Sequence, residues 1–214
     1  MNIQKQTYFH VSDKLNWQKD TSYFIGRENS VRCQDLMSRG FFSPQTNDGQ
    51  LPLNGVVEGM AHYINTQQKP PFLPETYHFD ANQTLMEILP MLRTQLVLIR
   101  ELIFEEVRKD YFPQKLSRYK GLHVIPSDKE SLSFWLEQLK TPNAKIYKLE
   151  LTGKLHRANS ELLNTASIPT EHLRHIAYKY WLGNKKQETS KDECLFEGMV
   201  HVIEVIDANS VASK

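Results

Sequence analysis

The chain has 214 residues, 40% of them hydrophobic and 24% charged, with a formal net charge of +1. That is enough chain to bury a substantial core in an ordinary globular protein, and it carries no global basic field that demands nucleic acid. Two cysteines, Cys33 and Cys194, make no disulfide framework; no basic-then-apolar leader opens the sequence and no apolar run nears the roughly 18 residues of a membrane span, so a cytoplasmic location is expected.

Tyr8-Phe9-His10-Val11-Ser12 is a short β-prone run ended by the turn former Asp13, and Tyr23-Phe24-Ile25-Gly26 repeats the theme. In a strand, His10 faces opposite to Phe9 and Val11, toward the less apolar side. Residues 41–82 are punctuated by Phe41-Phe42-Ser43-Pro44, Asn47-Asp48-Gly49, Pro52, Pro70-Pro71 and Pro74. That predicts a long irregular segment with a short helix over 56–66, and the reading is one domain over 1–214 with an insertion at about 41–112. Asp80 or Asn82 can cap a helix from near Gln83. Pro90 interrupts it or marks a start, after which Leu92, Leu96, Ile99, Ile103, Phe104 and Val107 recur at helical spacing. Arg100, Glu101, Glu105, Glu106, Arg108 and Lys109 occupy other faces and read as solvated surface with i,i+4 pairs. Phe112-Pro113 stops this helix.

Leu116-Ser117-Arg118-Tyr119-Lys120-Gly121 then leads into a short strand, Leu122-His123-Val124-Ile125-Pro126. Ser127-Asp128 caps a helix over 132–139, and Pro142-Asn143 turns the chain. Residues 145–151 alternate as a strand, with Ile146, Lys148 and Glu150 on one face and Tyr147, Leu149 and Leu151 on the other. A helix from near Thr170 carries Leu173, Ile176, Ala177, Tyr180 and Trp181 and ends at Gly183-Asn184. After a polar run, residues 191–206 read as a strand, a bend permitted by Gly198, and a second strand. Glu193 sits where the polar approach meets the first apolar residues. It is either a solvated strand-edge carboxylate or a partly desolvated one, poised as a base or as the partner of a developing cation.

No glycine-rich phosphate loop follows any strand, so the order of elements predicts an α+β fold with a mixed sheet and not a doubly wound one. The closest-spaced histidines, His172 and His175 beside Glu171, lack an HExxH pattern, and no metal site is predicted. No GxSxG elbow is present, and Glu193 disfavours a thiolate at Cys194, which reads as a small apolar filler. What remains is a dispersed set of polar residues: His10, Ser117, Arg118 and Glu193.

The order of these residues resembles the ADP-ribosyltransferase-fold superfamily. Phe9-His10-Val11-Ser12 resembles its opening strand, and Leu116-Ser117-Arg118 with the strand after it resembles the middle-strand motif of an uncharacterised bacterial branch. Lys145 to Gly153 (KIYKLELTG) resembles the strand-then-TG segment of rifampin-modifying and related transferases. The run from Glu193 to Val202 resembles the closing pattern of a glutamate, apolar residues, a turn and a Val-rich strand. The resemblance implies a split mixed or antiparallel sheet with packed helices and a long insertion. It implies an NAD-dependent, toxin- or effector-like transferase that passes ADP-ribose to a macromolecular acceptor, nucleic acid or protein, with a neutralising antitoxin protein as a possible partner. A non-catalytic NAD-binding module and an NAD glycohydrolase are the alternatives. Carried across, His10 bonds a ribose of NAD, and Val11 and Ser12 help hold the nicotinamide amide. Ser117 and Arg118 line the cleft, Arg118 facing the pyrophosphate, and Tyr119 stacks on nicotinamide. Glu193 holds the ribose 2′-hydroxyl and stabilises the oxocarbenium-like centre. Glu150 is the competing carboxylate, set aside because the LTG segment after it reads as a turn. Lys191 stands where arginine-modifying members carry a second acidic residue, which argues against that acceptor.

Overall fold

The computed structural model of the chain describes residues 1–26, 45–46, 49–50, 53–71, 81–139, 143–164, 168–183 and 191–208. The Phe41 to Pro44 stretch, the Asn47-Asp48 turn, Pro52, Pro74, the Asp80 cap, Pro142, Asn184 and the polar run after it lie outside the described residues. The chain divides into two compact units, one of Met1–Cys33 with Arg100–Lys214 and one of Gln34–Ile99.

In the second unit, β3 (Gln45–Thr46) and β4 (Gly49–Gln50) pair antiparallel and α1 spans Leu53–Thr66. The short helix expected over 56–66 is therefore present and slightly longer. α2 (Ala81–Tyr111) begins in this unit and runs unbroken through Pro90, where the sequence suggests either an interruption or a start. Of the residues at helical spacing, Leu92, Leu96 and Ile99 are exposed, whereas Phe104 and Val107 are buried and Ile103 packs against them.

The first unit holds β1 (Asn2–Ser12), β2 (Ser22–Ile25), the end of α2, β5 (Leu122–Pro126), α3 (Lys129–Leu139), β6 (Lys145–Asn159), α4 (Thr170–Leu182) and β7 (Asp192–Asp207). With the helices it makes an α+β architecture around a five-stranded antiparallel sheet. β6 pairs with β1 on one side and β7 on the other, and β5 bonds to both β7 and β1. Four strands thus close a ring, with β2 carried on the β7 edge. Closure satisfies main-chain groups that an open edge would leave unpaired.

Two glycines explain why β6 and β7 are so long. Gly153 lies opposite Gly198 in the register. A Cβ on Gly153 would run into the Glu197 carbonyl oxygen, and one on Gly198, whose φ is +144°, would sit 2.5 Å from the Thr152 oxygen. The backbones approach more closely than side chains permit, in a conformation L-residues rarely adopt. The Leu151-Thr152-Gly153 segment, expected as a turn, is the middle of a continuous strand, and the bend expected at Gly198 does not split β7.

Two buried clusters follow from the alternation of the strands. Tyr8, Val124, Tyr147, Leu149, Leu151, Cys194, Phe196 and Val202 belong to one, formed by the sheet itself. Ala158 and Leu195 belong to the other, with Phe104 and Val107 of α2, Phe112 and Leu116, and Ala177, Tyr180 and Trp181 of α4. Successive residues of a strand point to opposite faces, so Glu193 shares with Leu195 the face that α2 and α4 cover. Cys194, on the other face, is the apolar filler expected, and burial pushes its thiol up to about 12. Among the described residues, no helix is long and apolar enough to cross a membrane.

Candidate functional site

β7 delivers Glu193 into a buried cluster of charged and polar groups between the sheet and the helices. Arg118, in the segment ahead of β5, has a side chain only 1% exposed. Its Nε and Nη2 donate to the Glu101 carboxylate of α2 at 2.6 and 3.0 Å. Nη1 donates to the Tyr180 hydroxyl of α4 at 2.6 Å and to Glu193 Oε2, and Nη2 reaches Glu193 Oε1 at 3.5 Å. The Tyr180 hydroxyl donates to Glu193 Oε2 at 2.7 Å. The guanidinium also lies 5.0 Å from the centre of the Tyr180 ring and 5.9 Å from that of Phe104. Arg100 closes the outer end, bonding Glu101 at 2.8 Å and the Leu163 carbonyl at 2.7 Å.

Burial alone would raise both carboxyls, and the neighbouring cations override it. Arg118, then Arg100, hold Glu101 at about 2. Arg118, then His123, hold Glu193 well below the usual carboxylate range. Burial pushes the Tyr180 phenol well above its ordinary value, with Glu193 adding to the effect against Arg118. Charges removed from water survive only when paired and hydrogen-bonded, and this set is both.

The cluster meets solvent at His123 on β5. Its Nδ1 lies 2.9 Å from Glu193 Oε1, and its side chain is 22% exposed against 6% for Glu193. An ionised carboxylate only accepts, so Nδ1 carries the proton of this bond. The main-chain oxygen of His123 in turn accepts from His10 Nδ1 at 2.7 Å.

Of the residues singled out in the sequence, Arg118 and Glu193 are in direct contact, and His10 bonds the main chain of His123, which in turn contacts Glu193. The imidazole of His10 stands on the Tyr8 face of β1, 6.0 Å from the Trp17 ring and 6.3 Å from Tyr147. Glu193 points to the helical face instead. The expectation that these two share one cleft gives way to an arrangement in which a strand residue stands between them. Arg118 was expected to face a pyrophosphate, yet all of its N–H groups are engaged by Glu101, Glu193 and Tyr180. Ser117 donates to Glu105 at 3.1 Å and accepts from the Tyr119 amide at 3.1 Å, holding the turn ahead of β5. Ser12 accepts from the amides of Lys14 and Leu15 and shapes the turn after β1. Val11 pairs with Ile146, and Glu150 sits half-buried opposite Thr7 and His201. Lys191 bonds Glu161 at the surface.

Glu101, His123 and Tyr180 were not legible as site residues. Glu101 and Glu105 read as solvated helix face but are buried, because Arg118 compensates the first and Arg108 the second. Their one sequence signal is i,i+3 and i+1 proximity to Phe104, on the buried side of α2.

No curated protein matches the sequence. The model of one family, described as a protein of unknown function (DUF2441), matches residues 8–208, nearly the whole chain, and the chain belongs to that family.

Proposed function

For this member of the DUF2441 family we propose an NAD-dependent ADP-ribosyltransferase, with an ADP-ribosyltransferase-like fold, that releases nicotinamide and passes ADP-ribose to a protein or nucleic-acid acceptor. The observation that carries the reading is Glu193. It is a carboxylate at the start of the last strand, kept ionised in a buried setting and bonded at Oε1 to an imidazole that solvent reaches. As the nicotinamide–ribose bond breaks, its electron pair leaves with the nicotinamide and positive charge develops at C1′. A fixed carboxylate in a low-dielectric site stabilises that charge more in the transition state than in the ground state. Oε1 is the less heavily bonded of the two oxygens: it accepts from His123 at 2.9 Å, while its contact with Arg118 Nη2, at 3.5 Å, is at the limit of a hydrogen bond.

A nucleotide-binding module without turnover is the second reading. It is favoured by the saturation of the cluster, since Arg118 and Glu193 are already fully hydrogen-bonded to protein groups. Incubating the purified chain with labelled NAD and cell lysate separates the outcomes: label on macromolecules for transfer, free ADP-ribose for hydrolysis, unchanged NAD for binding alone. Glu193→Gln is expected to cut transfer by about 10²-fold with NAD affinity held within a few-fold, while Glu150→Gln stays active. An active Glu193→Gln beside a dead Glu150→Gln overturns the assignment.

A further inference from the structure

We propose that the exposed apolar face of α2 in the second unit is a contact surface for a second copy of this chain, which pairs along it as a two-helix seam. Within residues 81–99, Leu89, Leu92, Leu96 and Ile99 follow one another at intervals of three, four and three. That is the spacing of the apolar positions in a heptad, which averages 3.5 residues and so lines up as one narrow strip along the helix. A helix face that meets only water carries charged and polar residues instead. Here the strip is apolar and open. Leu89, Leu92, Leu96 and Ile99 are each between 39% and 50% exposed, and Met86, beside the start of the strip, is 71% exposed. The strip ends where α2 passes into the first unit, whose core takes Phe104 and Val107.

Area and charge both favour a second copy over other occupants. The five side chains present roughly 400–500 Å² to solvent, the size at which an exposed patch marks an interaction site. Two copies face to face, with the exposed Arg93 at the rim, cover on the order of 1,000 Å², the least that a specific pairing needs. An area at that threshold implies a weak association, with Kd on the order of 10 μM. Residues 81–99 contain one acid, Glu87, and one base, Arg93, and no lysine. Two such segments meet with little like-charge repulsion. A nucleic acid or an anionic membrane surface calls for clustered Lys and Arg, which this segment does not carry. A twofold pairing also makes the strip its own complement, since the same leucines lie on both sides of the seam.

The test is sedimentation velocity of the full-length chain from roughly 1 to 500 μM, a range that brackets such an affinity. The expected result is a shift from the mass of one 25.0 kDa chain toward twice that mass as the concentration rises. Leu92→Gln combined with Leu96→Gln is expected to weaken association by about 10-fold or more, with the far-UV circular dichroism of wild type. Leu182→Gln, which changes an exposed leucine of α4 outside the strip, is expected to associate like wild type. A wild type that stays monomeric over the whole range overturns the proposal, whether another protein or a segment of this chain covers the strip. A dimer that survives both glutamines overturns it too. Should the glutamine pair fail to fold, Leu92→Ala with Leu96→Ala takes its place, because alanine favours helix. Folded and monomeric, that variant supports the seam; folded and still dimeric, it overturns it. Unfolded, it shows the two leucines to be core residues of the single chain, and the proposal fails.

Discussion

Arg118 shows how much a single buried guanidinium can organise. Its donors satisfy two carboxylates that have almost no contact with water, so removing it leaves Glu101 and Glu193 charged and under-paired. Arg118→Met is expected to lower stability by about 3–5 kcal/mol, read from the shift of the urea midpoint. Acid should act in two windows, through different residues. Burial, aided by Lys115, depresses the His156 imidazole from 6.5 to about 3, and its Nε2 has no hydrogen-bond partner among the described residues. The unfolded chain therefore takes up that proton first, and stability falls as the pH drops below 6.5 and on toward 3. Glu101 is held at about 2 against an ordinary 4.5, so its contribution is complete above 4.5 and disappears as the pH falls through 2. Thermal midpoints are expected to decline first through His156 and then more steeply through Glu101. His156→Leu should flatten the first decline and leave the second. An unchanged slope above 4.5 in that variant would refute the assignment.

At the scale of elements, the paired glycines of β6 and β7 set the geometry that brings Glu193 to its partners. Gly198→Ala forces an L-residue to φ +144° and drives its Cβ against the Thr152 oxygen. A loss of about 1–3 kcal/mol is expected from backbone strain alone, measured by chemical denaturation. A variant as stable as wild type would mean that β7 does not keep this conformation in solution. The strands around these glycines were readable in the sequence at their ends. Tyr8 to Ser12 and Lys145 to Leu151 alternate, and both form strands. The helix stop at Phe112-Pro113, the Asp128 cap bonding the Ser131 amide at 2.7 Å, and the Gly183 terminus of α4 follow from local stereochemistry. The continuity of β6 and β7 through glycine was not readable. A glycine that ends a strand and one that lets two backbones touch look alike until the opposite strand is known.

For the molecule as a whole, both buried clusters draw on residues outside 34–99. A chain in which 34–99 is replaced by a Gly/Ser linker of roughly 15 residues is expected to unfold cooperatively, with its midpoint within about 5 °C of the parent. Loss of a cooperative transition would show that the first unit cannot fold without the second. The sequence alone determined the α+β class and the position of most helices and strands, and it singled out Arg118 and Glu193 without deciding that they are buried. Those features depend on the order of a few neighbouring residues: alternation, caps and chain breakers. Only the tertiary structure decided which charges are buried, which imidazole meets Glu193, and on which face His10 stands. Arg118 and Glu193 are 75 residues apart, and Glu101 joins them from a helix that reads as solvated. Whether a charge can be buried depends on the partner that folding brings to it, and no local pattern carries that information.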